Sequence, residues 1–185
     1  MYTDPEVVEA VTERVVDFYY RANEMFFKAA GDTFDTFFFG NDFGTQLDLL
    51  ISPENFEKFV LPGFKRVIEG AKKYNKKVML HSCGAIYRVI PWLIDAGMDI
   101  LHPIQALAKN MDAKSLVQYK NDVAFCGGID TQELLMNGTP DDVRREVARV
   151  KKLLGPNLIV SPSHEALLPN VPYANIKAMA EETKA

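Results

Sequence analysis

Five short apolar runs, separated by helix-like segments, constrain this chain more than any other feature. The runs are Thr36–Phe39, Lys77–Leu80, Ile100–Ile104, Val123–Cys126 and Leu158–Val160. Short continuous apolar runs bounded by small and polar residues are typical of fully buried strands, and helices between them supply the crossovers that parallel strands need. The sequence therefore predicts an α/β fold with about five βα units and a parallel sheet.

Capping signals bound the predicted helices. A Ser, Thr or Asp followed by Pro is typical of a helix start, and Gly of a helix end. The predicted helices are Glu6–Ala30, Ser52–Tyr74, Tyr87–Ala96, Ala113–Lys120, Thr139–Leu154 and a last helix that Pro172 opens. Pro62 is expected to kink or split the second of them.

The first predicted helix carries an apolar stripe rich in aromatic residues, which we interpret as core packing. Its members are Val8, Val11, Val15, Phe18, Tyr19, Ala22, Phe26 and Phe27.

Size and charge limit the classes of function. With 185 residues, 48% of them hydrophobic, the chain is long enough for one domain, residues 1–185, with a sizeable core. A net charge of -4 without a basic face offers no footprint for nucleic acid or an anionic membrane. No apolar run approaches the roughly 20 residues of a membrane span, and the N-terminus lacks the pattern of a signal peptide. We expect a cytoplasmic protein that acts on a small molecule.

His81 and Cys83 follow the second apolar run with the spacing of metal ligands. Side chains two positions apart in a strand point to the same side, so both can reach one ion. The alternative is a satisfied histidine and a small buried thiol. A disulfide between Cys83 and Cys126 is disfavoured because a chain without an export signal meets a reducing compartment.

A metal site needs a third ligand, and the sequence offers Cys126 and His164. His164 is favoured because it lies beyond its strand, where side chains reach the cleft, whereas Cys126 lies within a strand. Three ligands, His81, Cys83 and His164, would leave the fourth tetrahedral position of zinc open, as in catalytic sites.

Other polar residues at the ends of the predicted strands are candidates for the same cleft, because function in parallel α/β folds gathers at the carboxyl ends of strands. Asp42 is a candidate for acid–base chemistry, and Asn41 and Gln105 for substrate binding. Asp130 is either a substrate ligand or a helix cap, and Glu165 either a catalytic or supporting carboxylate or a solvated one.

His102, which precedes Pro103, is interpreted as a packed or hydrogen-bonded histidine.

The assembled motifs resemble the uroporphyrinogen decarboxylase superfamily, and within it the cobalamin-dependent methyltransferases. The matching segments are Asn41–Gln46, Leu50–Glu54, Leu80–Gly84, Gly97–Gln105, Cys126–Gln132 and Ser161–His164 followed by Pro169–Pro172. The resemblance implies a (β/α)8 TIM barrel and, in the methyltransferase branch, zinc held by a His-x-Cys motif and a distant third ligand. His81 and Cys83 match that motif. The third ligand, a cysteine in the coenzyme M methyltransferases, falls near Ser163 and His164, where this sequence has no cysteine.

The resemblance also implies that the chain is the C-terminal part of the barrel, with about five of eight βα units. The leading hypothesis is a zinc-dependent methyltransferase that exchanges a methyl group with a corrinoid (cobalamin) protein. A second hypothesis is uroporphyrinogen decarboxylase, a lyase of porphyrin biosynthesis, although Arg88 is the only arginine near a predicted cleft loop. The third is a non-catalytic barrel fragment, completed by a missing N-terminal half-barrel or by homodimerisation.

Overall fold

The computed structural model describes residues 1–185 and contains one five-stranded sheet with eight helices. The strands are β1 (Thr36–Gly40), β2 (Lys77–His81), β3 (Ile100–Ile104), β4 (Ala124–Ile129) and β5 (Leu158–Pro162). The helices are α1 (Pro5–Ala30), α2 (Pro53–Phe59), α3 (Leu61–Lys72), α4 (Ile90–Asp95), α5 (Ala113–Leu116), α6 (Leu134–Asn137), α7 (Pro140–Leu154) and α8 (Tyr173–Lys184). Two 3₁₀ turns, Gly31–Thr33 and Val117–Tyr119, follow α1 and α5.

The strands lie in the order β1-β2-β3-β4-β5, and every neighbouring pair is parallel. The prediction of five βα units around a parallel sheet is confirmed, and the open sheet is consistent with a partial TIM barrel. Because all strands run the same way, their carboxyl ends and the loops that follow lie along one edge of the sheet. That edge carries the predicted site residues.

Proline and glycine account for the main differences between predicted and observed elements. The predicted helix Ser52–Tyr74 is split into α2 and α3, with Pro62 in the first turn of α3, where its missing N–H is not needed. Strand β4 extends beyond the predicted run Val123–Cys126, through Gly127 and Gly128 to Ile129. Gly127 has a φ of +121° and lies so close to β3 that a Cβ atom would be 2.7 Å from the backbone nitrogen of Ile104.

The two faces of the sheet differ in burial. Leu80, Leu101 and Phe125 lie on the face covered by helices and are fully buried. The opposite face carries Phe38 and Ile159 on the two edge strands, and these side chains are 49% and 48% exposed. The helices therefore build the core on one face and leave apolar side chains of the other face open.

Helix α1 does not pack as its sequence suggested. Only Phe27 of this helix is buried, while Val7, Val11, Val15, Phe18, Tyr19, Met25 and Phe26 are each about half exposed or more. The helix packs against α3, where Gly63 and Gly70 admit Val16 and Tyr20. Val15 and Tyr19 of its apolar stripe border an open cavity together with Phe38 of β1, the edge strand of the sheet, and remain about half exposed there.

The amino end of the sheet holds a paired carboxylate. Asp99, which precedes β3, accepts hydrogen bonds from the side chains of Lys72 and Lys77 and from the backbone N–H of Val78 at 2.7 Å. Burial raises the pKa of Asp99, but these donors outweigh burial and hold the pKa below its usual value.

None of the helices has the length and apolar character that a membrane crossing would require.

Candidate metal centre

His81 and Cys83 lie together at the carboxyl end of β2. His81 is the last residue of the strand and Cys83 the second residue of the loop, and Cys83 Sγ is 3.9 Å from His81 Nε2. The side chain of His81 is 15% exposed. The structure thus brings the two residues of the predicted metal motif into one group.

Asp42, from the loop after β1, closes this group on one side. Its Oδ1 lies 3.1 Å from His81 Nε2 and accepts a hydrogen bond from the backbone N–H of Cys83 at 2.8 Å. The neighbouring Asn41 donates its backbone N–H to the carbonyl of His81 at 3.1 Å. Gly40 permits this approach, because a Cβ there would lie 2.0 Å from the same carbonyl oxygen. The end of β1 is thereby fixed against the His81 loop.

His102 and Glu165 lie on the other side of the His81 ring. The Nδ1 atoms of His81 and His102 are 3.1 Å apart, and Glu165 Oε1 is 3.4 Å from His81 Nδ1. Phe38 stands edge-on to both imidazoles, with ring centroids 6.0 and 5.2 Å away. His102 is hydrogen-bonded, as we expected. The sequence analysis missed its partner, although the two histidines occupy paired positions of adjacent strands.

Two overlapping sets of metal-competent atoms result. Asp42, His81 and Cys83 form one set, and His81, His102 and Glu165 form the other; within each set all ligand atoms lie within 4.8 Å of one another. Zinc, with imidazole, thiolate and carboxylate as its usual ligands, suits both sets.

His164 is placed differently from the expectation. It follows β5, three strands away from β2. The nitrogen atoms of its ring do not form a group with the ligand atoms of His81 and Cys83 in which all lie within 4.8 Å of one another. Its Nε2 is nevertheless buried and has no hydrogen-bond partner. Such an atom is costly to bury without a ligand or donor, so His164 keeps an unmet capacity for one.

Gln105, which follows β3, is 2% exposed and supports the same loop. Its side-chain oxygen accepts the backbone N–H of Gly84 at 2.7 Å, while its Nε2 is buried without a partner. Gly84 has a φ of +86°, and a Cβ there would lie 2.4 Å from the carbonyl carbon of Gly44. The loop that follows Cys83 therefore requires glycine at this position.

Asp130 and Cys126 stand apart from this cluster. The carboxylate of Asp130 accepts the backbone N–H groups of Gln132, Glu133 and Leu134, which is the capping role that the sequence had left open. Cys126 is buried in β4, and both cysteines are free thiols, as we expected.

The electrostatics of the cluster favour a cation. Burial, then the charges of Asp42 and Glu165, raise the pKa of the Cys83 thiol to about 11. Burial and the neighbouring His81 lower the pKa of His102, against the opposing effect of Glu165. Neither carboxylate is paired with a lysine or arginine. A metal ion would supply the positive charge that the protein does not.

Comparison with known proteins assigns the chain to a family. The sequence profile of the uroporphyrinogen decarboxylase (URO-D) family matches residues 1–185. The chain belongs to the URO-D family. The resemblance drawn from the motifs is thereby confirmed.

Curated relatives of this URO-D family chain include two kinds of enzyme. It is 26% identical over 135 residues to the methylcobamide:CoM methyltransferase MtbA of Methanosarcina mazei, covering 73% of this chain and 38% of the relative. It is 27% identical to the methylated-thiol–coenzyme M methyltransferase of the same organism, over 76% of this chain and 35% of that protein. It is also 28% identical to uroporphyrinogen decarboxylase of Chlorobium phaeobacteroides, over 72% of this chain and 38% of that protein.

A solved structure shares the fold. A methyltransferase from Methanosarcina mazei superposes with a TM-score of 0.69 at 18% identity, over 90% of this chain and 47% of the other. The chain thus spans less than half of the solved structure and between a third and two fifths of the curated relatives.

Proposed function

We propose that this URO-D family chain is a zinc-dependent methyltransferase, or the metal-binding part of one. It would move a methyl group between a small substrate or thiol and a corrinoid protein in the cytoplasm. The observation that carries the proposal is the placement of His81 Nε2 and Cys83 Sγ 3.9 Å apart, beside two carboxylates that have no lysine or arginine partner. Two of the similar curated proteins support a methyltransferase. One is named for a methylcobamide and the other for a methylated thiol.

His164 is proposed as the third zinc ligand. Its buried and unpartnered Nε2 supports this role, because a metal ion would satisfy that atom. Asp42 is the competing candidate, since its Oδ1 already lies 3.1 Å from His81 Nε2.

When bound, zinc would lower the pKa of a coordinated thiol and so supply a thiolate at neutral pH. The residues of the chain would position the metal-binding loop and accept the proton of the thiol. Asp42 holds the Cys83 loop through its backbone N–H, and Gln105 holds Gly84. In the proposal, one of the two carboxylates, Asp42 or Glu165, accepts the single proton that the thiol loses, and Asn41, Gln105 and Asp130 line the substrate cleft.

Elemental analysis and a methyl-transfer assay test this function. The purified protein should carry near-stoichiometric zinc, and the double variant His81→Ala, Cys83→Ala should carry none. Demethylation of methylcobalamin by a thiol, followed by absorbance, should depend on the same residues. Cys126→Ser is the matched control, because this second free thiol of the sheet lies outside both ligand sets. A metal-free wild-type protein with normal folding would remove the hypothesis.

Zinc analysis of a variant at each of the three candidates identifies the third zinc ligand. His164→Ala should abolish stoichiometric zinc, whereas Asp42→Asn should retain it. The opposite pattern would make Asp42 the ligand, and loss of zinc in Cys126→Ser would make it Cys126.

Tetrapyrrole decarboxylation is the second candidate, and the decarboxylase of Chlorobium phaeobacteroides among the relatives favours it. A polycarboxylate substrate needs cationic side chains. Arg88, the arginine nearest to the predicted cleft loops, is paired with Asp48 at 3.3 Å. Incubation with uroporphyrinogen tests this candidate, and formation of coproporphyrinogen would establish it over the methyltransferase.

We also propose that further βα units of the same architecture complete the barrel. The exposed stripe of α1 and the open edges at β1 and β5 support this, as does a solved structure of about twice the length. Light scattering after size-exclusion chromatography tests it. The chain alone should associate, and Ile159→Lys should reduce the association by placing a charge on the exposed face. A folded monomer would contradict the need for completion, and a discrete dimer would indicate a second copy instead.

A further inference from the structure

Each of the two ring nitrogens of His81 faces a different set of groups. Nε2 faces Cys83 and Asp42, whereas Nδ1 lies 3.1 Å from His102 Nδ1 and 3.4 Å from Glu165. A neutral imidazole that binds a metal through one nitrogen carries its proton on the other. A zinc ion shared with Cys83 would use Nε2, so the Nδ1–H of His81 would need an acceptor.

We propose that His102 is the positioning residue that accepts the Nδ1–H of His81 and so presents Nε2 of His81 to zinc. This inference rests on the proposed zinc site and deepens it. To accept, His102 carries its own proton on Nε2. His102 does not itself contact the ion in this arrangement.

His102 is better placed for this role than Glu165. The backbone carbonyl of His102 accepts the N–H of Ser82 at 2.9 Å, which ties the two histidine-bearing strands together at this level. Phe38 packs edge-on against the His102 ring at 5.2 Å and shields it. Glu165, in contrast, lies in a loop with its side chain 61% exposed, where water competes for the same bond. His102 therefore fixes the orientation of the His81 ring, and Glu165 contributes a negative charge beside it.

The expected size of the effect follows from other metal sites, where removing the hydrogen-bond partner of a ligating histidine typically weakens metal affinity about 10–100-fold. His102→Leu removes the acceptor and should weaken zinc affinity by about that factor. His102→Asn places an amide oxygen close to the former Nδ1 position and should largely restore the affinity. Glu165→Gln should cost less than His102→Leu.

Chelator competition on the full chain measures these affinities, with the melting temperatures of the metal-free variants as a check on folding. Cobalt substitution adds a readout that a structural role would not explain. The d–d spectrum of His102→Leu should match that of the wild type at saturating cobalt, because the ligands are unchanged. An altered spectrum would make His102 a ligand, and equal zinc affinity in His102→Leu and wild type would also overturn the proposal.

Nitrogen NMR of the metal-free protein at pH 8 tests the same pair without zinc. The proposal predicts that His102 carries its proton on Nε2, so that its Nδ1 can accept from Nδ1 of His81 across the 3.1 Å contact. If His102 carries its proton on Nδ1, or if both rings carry their protons on Nε2, His102 does not accept from His81 and the inference fails. A wild type that binds no zinc would remove the proposed function, whereas zinc binding unaffected by His102→Leu would remove only the role of His102.

Discussion

The two ends of the sheet treat charged and metal-competent side chains in opposite ways. At the amino end, two lysine side chains and a backbone N–H satisfy Asp99. At the carboxyl end, Asp42 and Glu165 lie beside His81 and Cys83 without a lysine or arginine partner. The pKa of Asp99 is lowered, whereas that of Cys83 is raised to about 11.

This difference indicates that charged groups at the amino end of the sheet stabilise the fold, whereas those at the carboxyl end form the candidate functional site. A paired carboxylate stabilises the fold and needs nothing further. At the carboxyl end, Asp42 and Glu165 have no lysine or arginine partner and disfavour the thiolate of Cys83, so a bound cation would relieve an unfavourable interaction that the free protein retains. Groups arranged in this way at the carboxyl edge of a parallel sheet are typical of a functional site.

The largest expected effect distinguishes neighbouring residues of β2 and its loop. Leu80 is fully buried against the helices, so Leu80→Ala should lower the free energy of unfolding by about 2–5 kcal/mol. Cys83→Ala, in the metal-free protein, should change it by less than about 1 kcal/mol. Urea unfolding of the two variants measures both values. Equal losses would mean that the carboxyl end also carries the stability of the fold.

A smaller effect is expected at the amino end. Asp99→Asn removes charge-assisted hydrogen bonds and should cost about 1–2 kcal/mol at pH 7. Because the pKa of Asp99 is lowered by folding, this stability is present above the ordinary carboxyl value of 3.8 and is lost as the pH falls through the folded pKa. The difference between wild type and variant in urea unfolding should therefore shrink in acid. A difference that does not depend on pH would refute the pairing of Asp99.

Asp42→Asn is the matched variant for that experiment. It removes a negative charge that no lysine or arginine neutralises, and its amide oxygen can still accept the backbone N–H of Cys83, so the metal-free protein should lose little stability. A loss as large as that of Asp99→Asn would erase the contrast between the two ends.

The smallest effect concerns the reactivity of Cys83. After burial, the charge of Asp42 is the next cause of the raised pKa, and the thiolate is the form that reacts with alkylating reagents. Asp42→Asn should therefore speed iodoacetamide modification of the metal-free protein by roughly two- to fivefold at pH 8. A Cys126→Ser background makes Cys83 the reporter. An unchanged or slower rate would show that Asp42 does not act on the thiol.

Much of the fold could be predicted because it depends on local signals. Each strand is a short apolar run, and the helices begin at capping pairs such as Thr139 and Pro140, where a complete capping box forms with Asp142. The exposure of the α1 stripe could not be predicted this way. An apolar stripe shows that a helix needs a partner, but not whether the elements present supply one.

The sequence predicted most residues of the candidate site, but not the contacts between them or the position of His102 beside His81. The spacing of His81 and Cys83 is local, and the structure brings the two residues together. The contacts of Asp42 with Cys83 and of His102 with His81 join residues 41 and 21 positions apart, so they depend on strand register and loop path. The role of His164 stays a prediction, since its ring lies outside both ligand sets and only its unpartnered Nε2 supports it.

X-ray absorption at the zinc edge of the purified protein tests the central claim most directly. The account predicts bound zinc with one sulfur ligand at about 2.3 Å and nitrogen ligands at about 2.0–2.1 Å, and the loss of the sulfur shell in Cys83→Ser. A protein without zinc, or a zinc shell of light atoms that Cys83→Ser leaves unchanged, would contradict it.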